Sequence, residues 1–241
     1  MAKSKNREGH AASGKLGAAE PSRPVAAEKL TILNTAAAPA HFSLVEKKSE
    51  FIGDAAHCAD EEQAMAFVAS IRELHPKARH VAFAAIFESK NGSVGERMSD
   101  DGEPSGTAGK PILDALTKSA MSGCVVTVTR YFGGILLGSA GLIRAYSTAA
   151  SGALRQAQRA RVVEHTRVNV TVDYPRLATL DHLVSQVGAR VEQRDFTEVV
   201  RSEVLVESGA MEQFRIGVRE AFQAEVSVEA IGTVPVAVPL E

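Results

Sequence analysis

Along residues 40–160 the apolar positions switch repeatedly between a period of two and a period near 3.6. Residues 42–46 and 50–56 alternate on either side of Lys47, Lys48 and Ser49, which predicts a hairpin of two strands. Asp60 precedes Ala64, Phe67, Val68, Ile71 and Leu74 at helical spacing and Pro76 follows them, so a helix capped by Asp60 is expected. Val81, Phe83, Ala85 and Phe87 alternate within 79–87 as a strand with one buried face, and Asn91-Gly92 supplies a turn. After a polar, glycine-rich run, Pro111 opens a helix carrying Ile112, Leu113 and Leu116, which Gly123 closes. Residues 124–131 read as a strand and 142–158 as a helix.

The last third has a cleaner pattern. Strands at 166–173, 189–196, 199–207 and 225–231, with helices at 175–187 and 210–223, give the order βαββαβ, the split βαβ arrangement of ferredoxin-like domains. The expected fold class is therefore α+β in two domains, 29–160 and 165–238, with a linker near Ala160–His165. Residues 1–28 are rich in Ala, Ser, Gly, Lys and Pro and carry almost no large apolar side chain, so a disordered tail is expected there.

Charge alters this picture in one respect. The net charge is -2, but Lys and Arg outnumber Asp and Glu by 6 to 3 in residues 1–40, balance at 13 each in 41–160, and are outnumbered 8 to 13 in 161–241. An acidic last third is a poor nucleic-acid surface, because such binding rests on phosphate neutralisation. Its outward strand positions also lack aromatics: Arg167, Asn169 and Thr171 on one strand, and Val199, Arg201, Glu203 and Leu205 on another, offer no stacking platform. A run of eighteen apolar residues and a secretory leader are both missing, so a cytoplasmic protein without membrane contact is expected. Cys58 and Cys124 show no zinc spacing and no disulfide framework.

The densest chemistry is Ser99-Asp100-Asp101-Gly102-Glu103-Pro104-Ser105-Gly106-Thr107-Ala108-Gly109-Lys110-Pro111. Glycines allow tight turns and close approach, and free N–H groups leading into a helix favour anions. A second glycine-rich run, from Arg130 to Tyr146, also leads into a helix, so the two are expected to share a cleft. Gly106, Thr107, Gly109, Lys110, Arg130, Gly133, Gly134 and Arg144 form the candidate anion site. Asp100, Asp101 and Glu103 form an acidic loop that either ligates a hard cation, works as acid and base, or caps N–H groups. Arg130 ends an apolar strand, where it binds a ligand or pairs with Asp100 or Asp101. His80 is read as a core histidine or an acid–base partner. Pro111 stands where a phosphate-binding P-loop needs a hydroxyl, and Ser99, Ser105 and Thr107 sit in no nucleophile elbow, so no catalytic residue, metal or cofactor is assigned.

These two runs resemble the signature of the IMPACT family in its bacterial form, S-D-D-G-E-P-x-G-T-A-G-K-P followed by a strand and R-Y-F/Y-G-G-x-x-L-G-x-G-G-L-x-x-A-Y. Ala140 departs from it, standing where the family has glycine. The resemblance implies a first domain like the second domain of ribosomal protein S5 and a second like the C-terminal domain of elongation factor G. It also implies a non-enzymatic, translation-associated regulator, since eukaryotic members restrain activation of a starvation-sensing translation kinase. Their N-terminal RWD domain has no counterpart in this sequence. The expected partners are RNA, the ribosome or a translation factor rather than DNA; the alternative is an enzyme of small or phosphorylated molecules using the acidic loop, with or without a metal.

Overall fold

The computed structural model of the chain describes residues 29–89 and 92–240. The basic tail and Asn91 of the expected turn lie outside the described residues. Ten strands and five α-helices follow in the described residues, arranged as two five-stranded sheets.

The first sheet has the order β2-β3-β6-β4-β5, from β2 (Ala40–Glu46), β3 (Ser49–His57), β4 (His80–Glu88), β5 (Val94–Ser99) and β6 (Cys124–Tyr131), all neighbours antiparallel. The expected hairpin is β2–β3, turned at Lys47 and Lys48, both with positive φ. Helix α1 (Glu61–Leu74) starts at the expected cap: Asp60 Oδ1 accepts from Gln63 N at 2.9 Å, and the Gln63 side chain accepts in return from Ala59 N. Helices α2 (Gly109–Lys118) and α3 (Gly138–Gln156) lie on the opposite face of the sheet.

Alternation along β4 shows how the layers are made. Val81, Phe83, Ala85 and Phe87 pack with Phe67, Val68 and Ile71 of α1, while Ala82, Ala84 and Ile86 pack with α2 and α3. The expectation of one buried face is thus corrected: small alanines at the alternate positions let helices close over both sides. Strand β5 was not expected, because Val94-Gly-Glu-Arg-Met-Ser99 is a polar edge with almost no buried face.

The second sheet follows the predicted element order with β7 (Arg159–Val172), α4 (Leu177–Gln186), β8 (Arg190–Phe196), β9 (Val200–Glu207), α5 (Met211–Ala221) and β10 (Val228–Pro239). The strands run β10-β7-β9-β8. Val168, Val170 and Val172 face Leu180, Val184, Phe214 and Val218, as the alternation predicts. On the other face Arg167 pairs with Glu192 and Glu203, but Leu205, expected to be outward and open, is buried. Residues 160–165, expected as a linker, are the first half of β7. There β7 pairs with β10 on one side and, through 159–161, with the short strand β1 (Leu30–Ile32) on the other.

Strand β1 joins both units. Val162 N donates to Lys29 O, and Ser122 N, beside β6, donates to Leu30 O, while the Ile32 side chain sits in the core under α2 and α3. No helix among the described residues is long and apolar enough to cross a membrane.

Candidate functional site

The first glycine run folds as a turn from β5 into α2. Asp101 takes φ 47° and Gly102 φ 84°, reversing the chain just past the end of β5, beside the start of β4. Asp100 then reaches across the turn: its Oδ1 accepts from Ala108 N at 2.9 Å and Gly109 N at 2.8 Å, and its Oδ2 accepts from Gly106 N at 2.8 Å. Burial alone would raise the pKa of this carboxyl, but the three backbone donors outweigh it and hold it below the usual carboxylate range. Asp100 therefore serves as the anion at the start of α2, whose own cap residue, Ala108, has no side-chain acceptor.

The other two carboxylates go elsewhere. Asp101 accepts from Val81 N at 2.6 Å and pairs with Arg72 of α1 at 2.8 Å, while its carbonyl accepts from His80 Nδ1 at 2.7 Å. Glu103 is buried, 2.6 Å from an Arg130 nitrogen, and accepts from Tyr146 Oη at 2.8 Å. Arg130 thus pairs with Glu103, not with the two aspartates. Burial, and then the adjacent Glu103, push the Tyr146 hydroxyl well above its ordinary pKa and keep it a proton donor. Among the described residues no three His, Cys, Asp or Glu side chains converge to hold a metal ion.

Arg130, 6% exposed, is the hub that sequence patterning could not resolve. Its guanidinium lies 5.4 Å from the Phe51 ring centroid and 5.5 Å from that of Phe132, one ring buried and the other exposed. A weak 3.5 Å contact runs to Ser49 Oγ, which also accepts from Gly133 N at 3.1 Å. Phe51 meets Tyr146 edge-on at 5.2 Å. Phe132 lies within the second glycine run, but Ser49 and Phe51 belong to neither run; the register of β3 against β6, which sets Phe51 opposite Arg130, is what brings them to it.

The second glycine run leaves this hub along the surface. A side chain at Gly133 would lie 2.0 Å from the Lys48 carbonyl, so only glycine lets the loop rest on the β2–β3 turn. Beyond it Phe132, Ile135 and Leu136 are 47%, 41% and 81% exposed. Arg144, two turns into α3, is exposed, as are Lys47 and Lys48. Thr107 is buried and donates to Pro104 O, and Lys110 is exposed and pairs with Asp114 at 2.7 Å. Of the candidate anion donors, the Gly106 and Gly109 N–H groups are taken by Asp100, Arg130 lies against the Phe132 ring and pairs with Glu103, and Lys110 and Arg144 are exposed on α2 and α3. Ala140 is exposed in the first turn of α3 and is absent from the positive-φ residues, so alanine sits there without strain.

The family described as the Impact N-terminal domain matches residues 47–154, and a domain of unknown function, DUF1949, matches 170–225. The chain is 38% identical over 168 residues to the IMPACT family member YigZ of Escherichia coli, covering 70% of this chain and 82% of that one. It is 40% identical over 150 residues to an IMPACT family member of Haemophilus influenzae, covering 62% and 73%. A crystal structure of a hypothetical protein, 33% identical, superposes with a TM-score of 0.58 over 85% of this chain and 98% of that one.

Proposed function

The chain belongs to the IMPACT family, and from that premise we propose that it is a cytoplasmic, non-enzymatic regulator associated with translation that holds single-stranded RNA on its glycine-loop face. One observation carries the reading: exposed Phe132 and Leu136 stand on a loop seated on the Lys48 backbone, with exposed Lys47 beside it in the same turn and Arg144 on the helix that follows. Unpaired bases stack on exposed rings while cations track the backbone, and neither needs a specific sequence. The acidic loop fits the role of support better than that of catalyst, since Asp100, Asp101 and Glu103 are all engaged by groups of the chain itself.

The same reading takes the first unit as S5-like and the second as ferredoxin-like, akin to the C-terminal domain of elongation factor G. What supports the second is the strand order β10-β7-β9-β8 with α4 and α5 packed on one face. The second unit then serves a protein contact, because its open face is occupied by the Arg167–Glu192–Glu203 ion pairs.

Fluorescence anisotropy with a labelled single-stranded RNA tests this. Phe132→Ala should weaken binding about tenfold, and Lys47→Ala with Lys48→Ala should lower the salt slope by about one to two units. RNA binding that none of these substitutions alters, or none at low salt, sinks the proposal.

A further inference from the structure

A cavity of about 260 Å³ lies at the opposite end of the first sheet from the glycine loops, where β3 and β4 finish against β1, β7 and β10. Strand β6, 8 residues long, spans the sheet between the two places, about 23 Å at strand rise. We propose that this cavity binds a free α-amino acid with an apolar side chain.

The walls are Phe87 and Val94 from the first sheet and Val162, Pro235 and Ala237 from the second, which suits an apolar body enclosed between two sheets. Two opposite charges meet at this cavity. Lys29 Nζ donates to Glu88 Oε2 at 3.1 Å, with both side chains about half exposed. An ammonium has three donors and a carboxylate two oxygens, so the pair retains capacity on both partners. A ligand carboxylate can join Lys29 and a ligand ammonium can join Glu88 without separating the two.

Charge balance selects the same class. Lys29 and Glu88 cancel, and burial depresses the pKa of His57, whose Nδ1 lies 3.2 Å from Thr31 Oγ1, so the imidazole adds no charge at neutral pH. A net-neutral site does not repay stripping water from a phosphate dianion, but it suits a zwitterion. Size agrees: the volume falls below the roughly 300–1,000 Å³ typical of drug-sized ligands and suits a single residue.

Isothermal titration calorimetry on the full chain, with leucine, isoleucine, methionine and phenylalanine as probes, tests the assignment. At least one should bind, while N-acetyl-leucine, leucine amide and glutamate should bind at least tenfold more weakly. Glu88→Gln, at the exposed rim, should weaken binding at least tenfold with no change in Tm. Ala237→Phe, which fills the cavity, should abolish the heat; if that variant fails to fold, Val94→Phe takes its place. Silence from all four apolar amino acids at millimolar concentration, equal binding of the acetylated or amidated form, or indifference to Glu88→Gln overturns it. None of these outcomes bears on RNA binding at the other end of the sheet.

Discussion

Arg130 carries a charge into the protein interior and is matched there by Glu103, itself held by Tyr146. Removing one member of such a pair leaves the other buried and unmatched. Arg130→Ala should therefore cost about 3 kcal/mol in urea denaturation, whereas Lys110→Ala, which breaks an exposed i,i+4 pair with Asp114, should leave the midpoint unchanged. Asp100 gives a pH test. Its folded-state pKa lies below the unfolded value of about 3.9. Its contribution is then fully present above that value and is lost as pH falls through the folded one. Asp100→Asn should be less stable than wild type at pH 7, and the gap between the two urea midpoints should close as the pH falls past the ordinary carboxylate value and through the lower, folded one. The chemistry of these residues was legible in the sequence, their partners only in part. Capping by the acidic loop was among the readings, but which carboxylate capped, and that Arg130 chose Glu103, depended on a turn at Asp101 and Gly102 that brings residues 100–103 across the ends of β4 and β6.

Elements were easiest to read where one face is apolar and the other is not. Helix α1, strand β6 and the valines of β7 appear where periodicity places them. Strand β5 escaped because its pairing with β4 is a backbone matter that leaves no apolar stripe. Helix α3 begins at Gly138 rather than at residue 142 because its first turn is small and exposed, so its helical period has nothing apolar to mark it. The two loop glycines predict different responses. Gly133→Ala drives a methyl group into the Lys48 carbonyl and should lift the loop from the hairpin, lowering Tm and exposing Arg130. Gly134→Ala meets open space but has φ 84°, so it should cost only about 1–2 kcal/mol and leave Phe132 over Arg130. The near-UV circular dichroism of Tyr146 and its neighbours, together with the melting curves, distinguishes the two variants.

At the scale of the whole molecule, β1 ties together what the sequence presented as separate. A three-residue strand, Leu-Thr-Ile, behind a polar stretch carries too short a pattern to predict, and the stretch at 160–165 looks like a linker until β10 and β1 are seen on either side of it. Limited trypsin digestion should accordingly spare Arg161 in the folded protein, while a chain deleted through Asn34 should be cut there, because β7 loses the β1 side of its pairing at 159–161 and the first core loses Ile32. The same strand sets an order for synthesis. Leu30–Ile32 leave the ribosome early, but the strand they pair with, Arg159–Arg161, follows about 130 residues later, a delay of roughly 10 s at common elongation rates. During that interval the first unit holds β1 by one edge only, through Ser122 N and Leu30 O, with the edge that faces β7 unpaired. Its folding is therefore expected to finish only as the second unit emerges, so a ribosome stalled between the two should hold a nascent chain that proteases can still open.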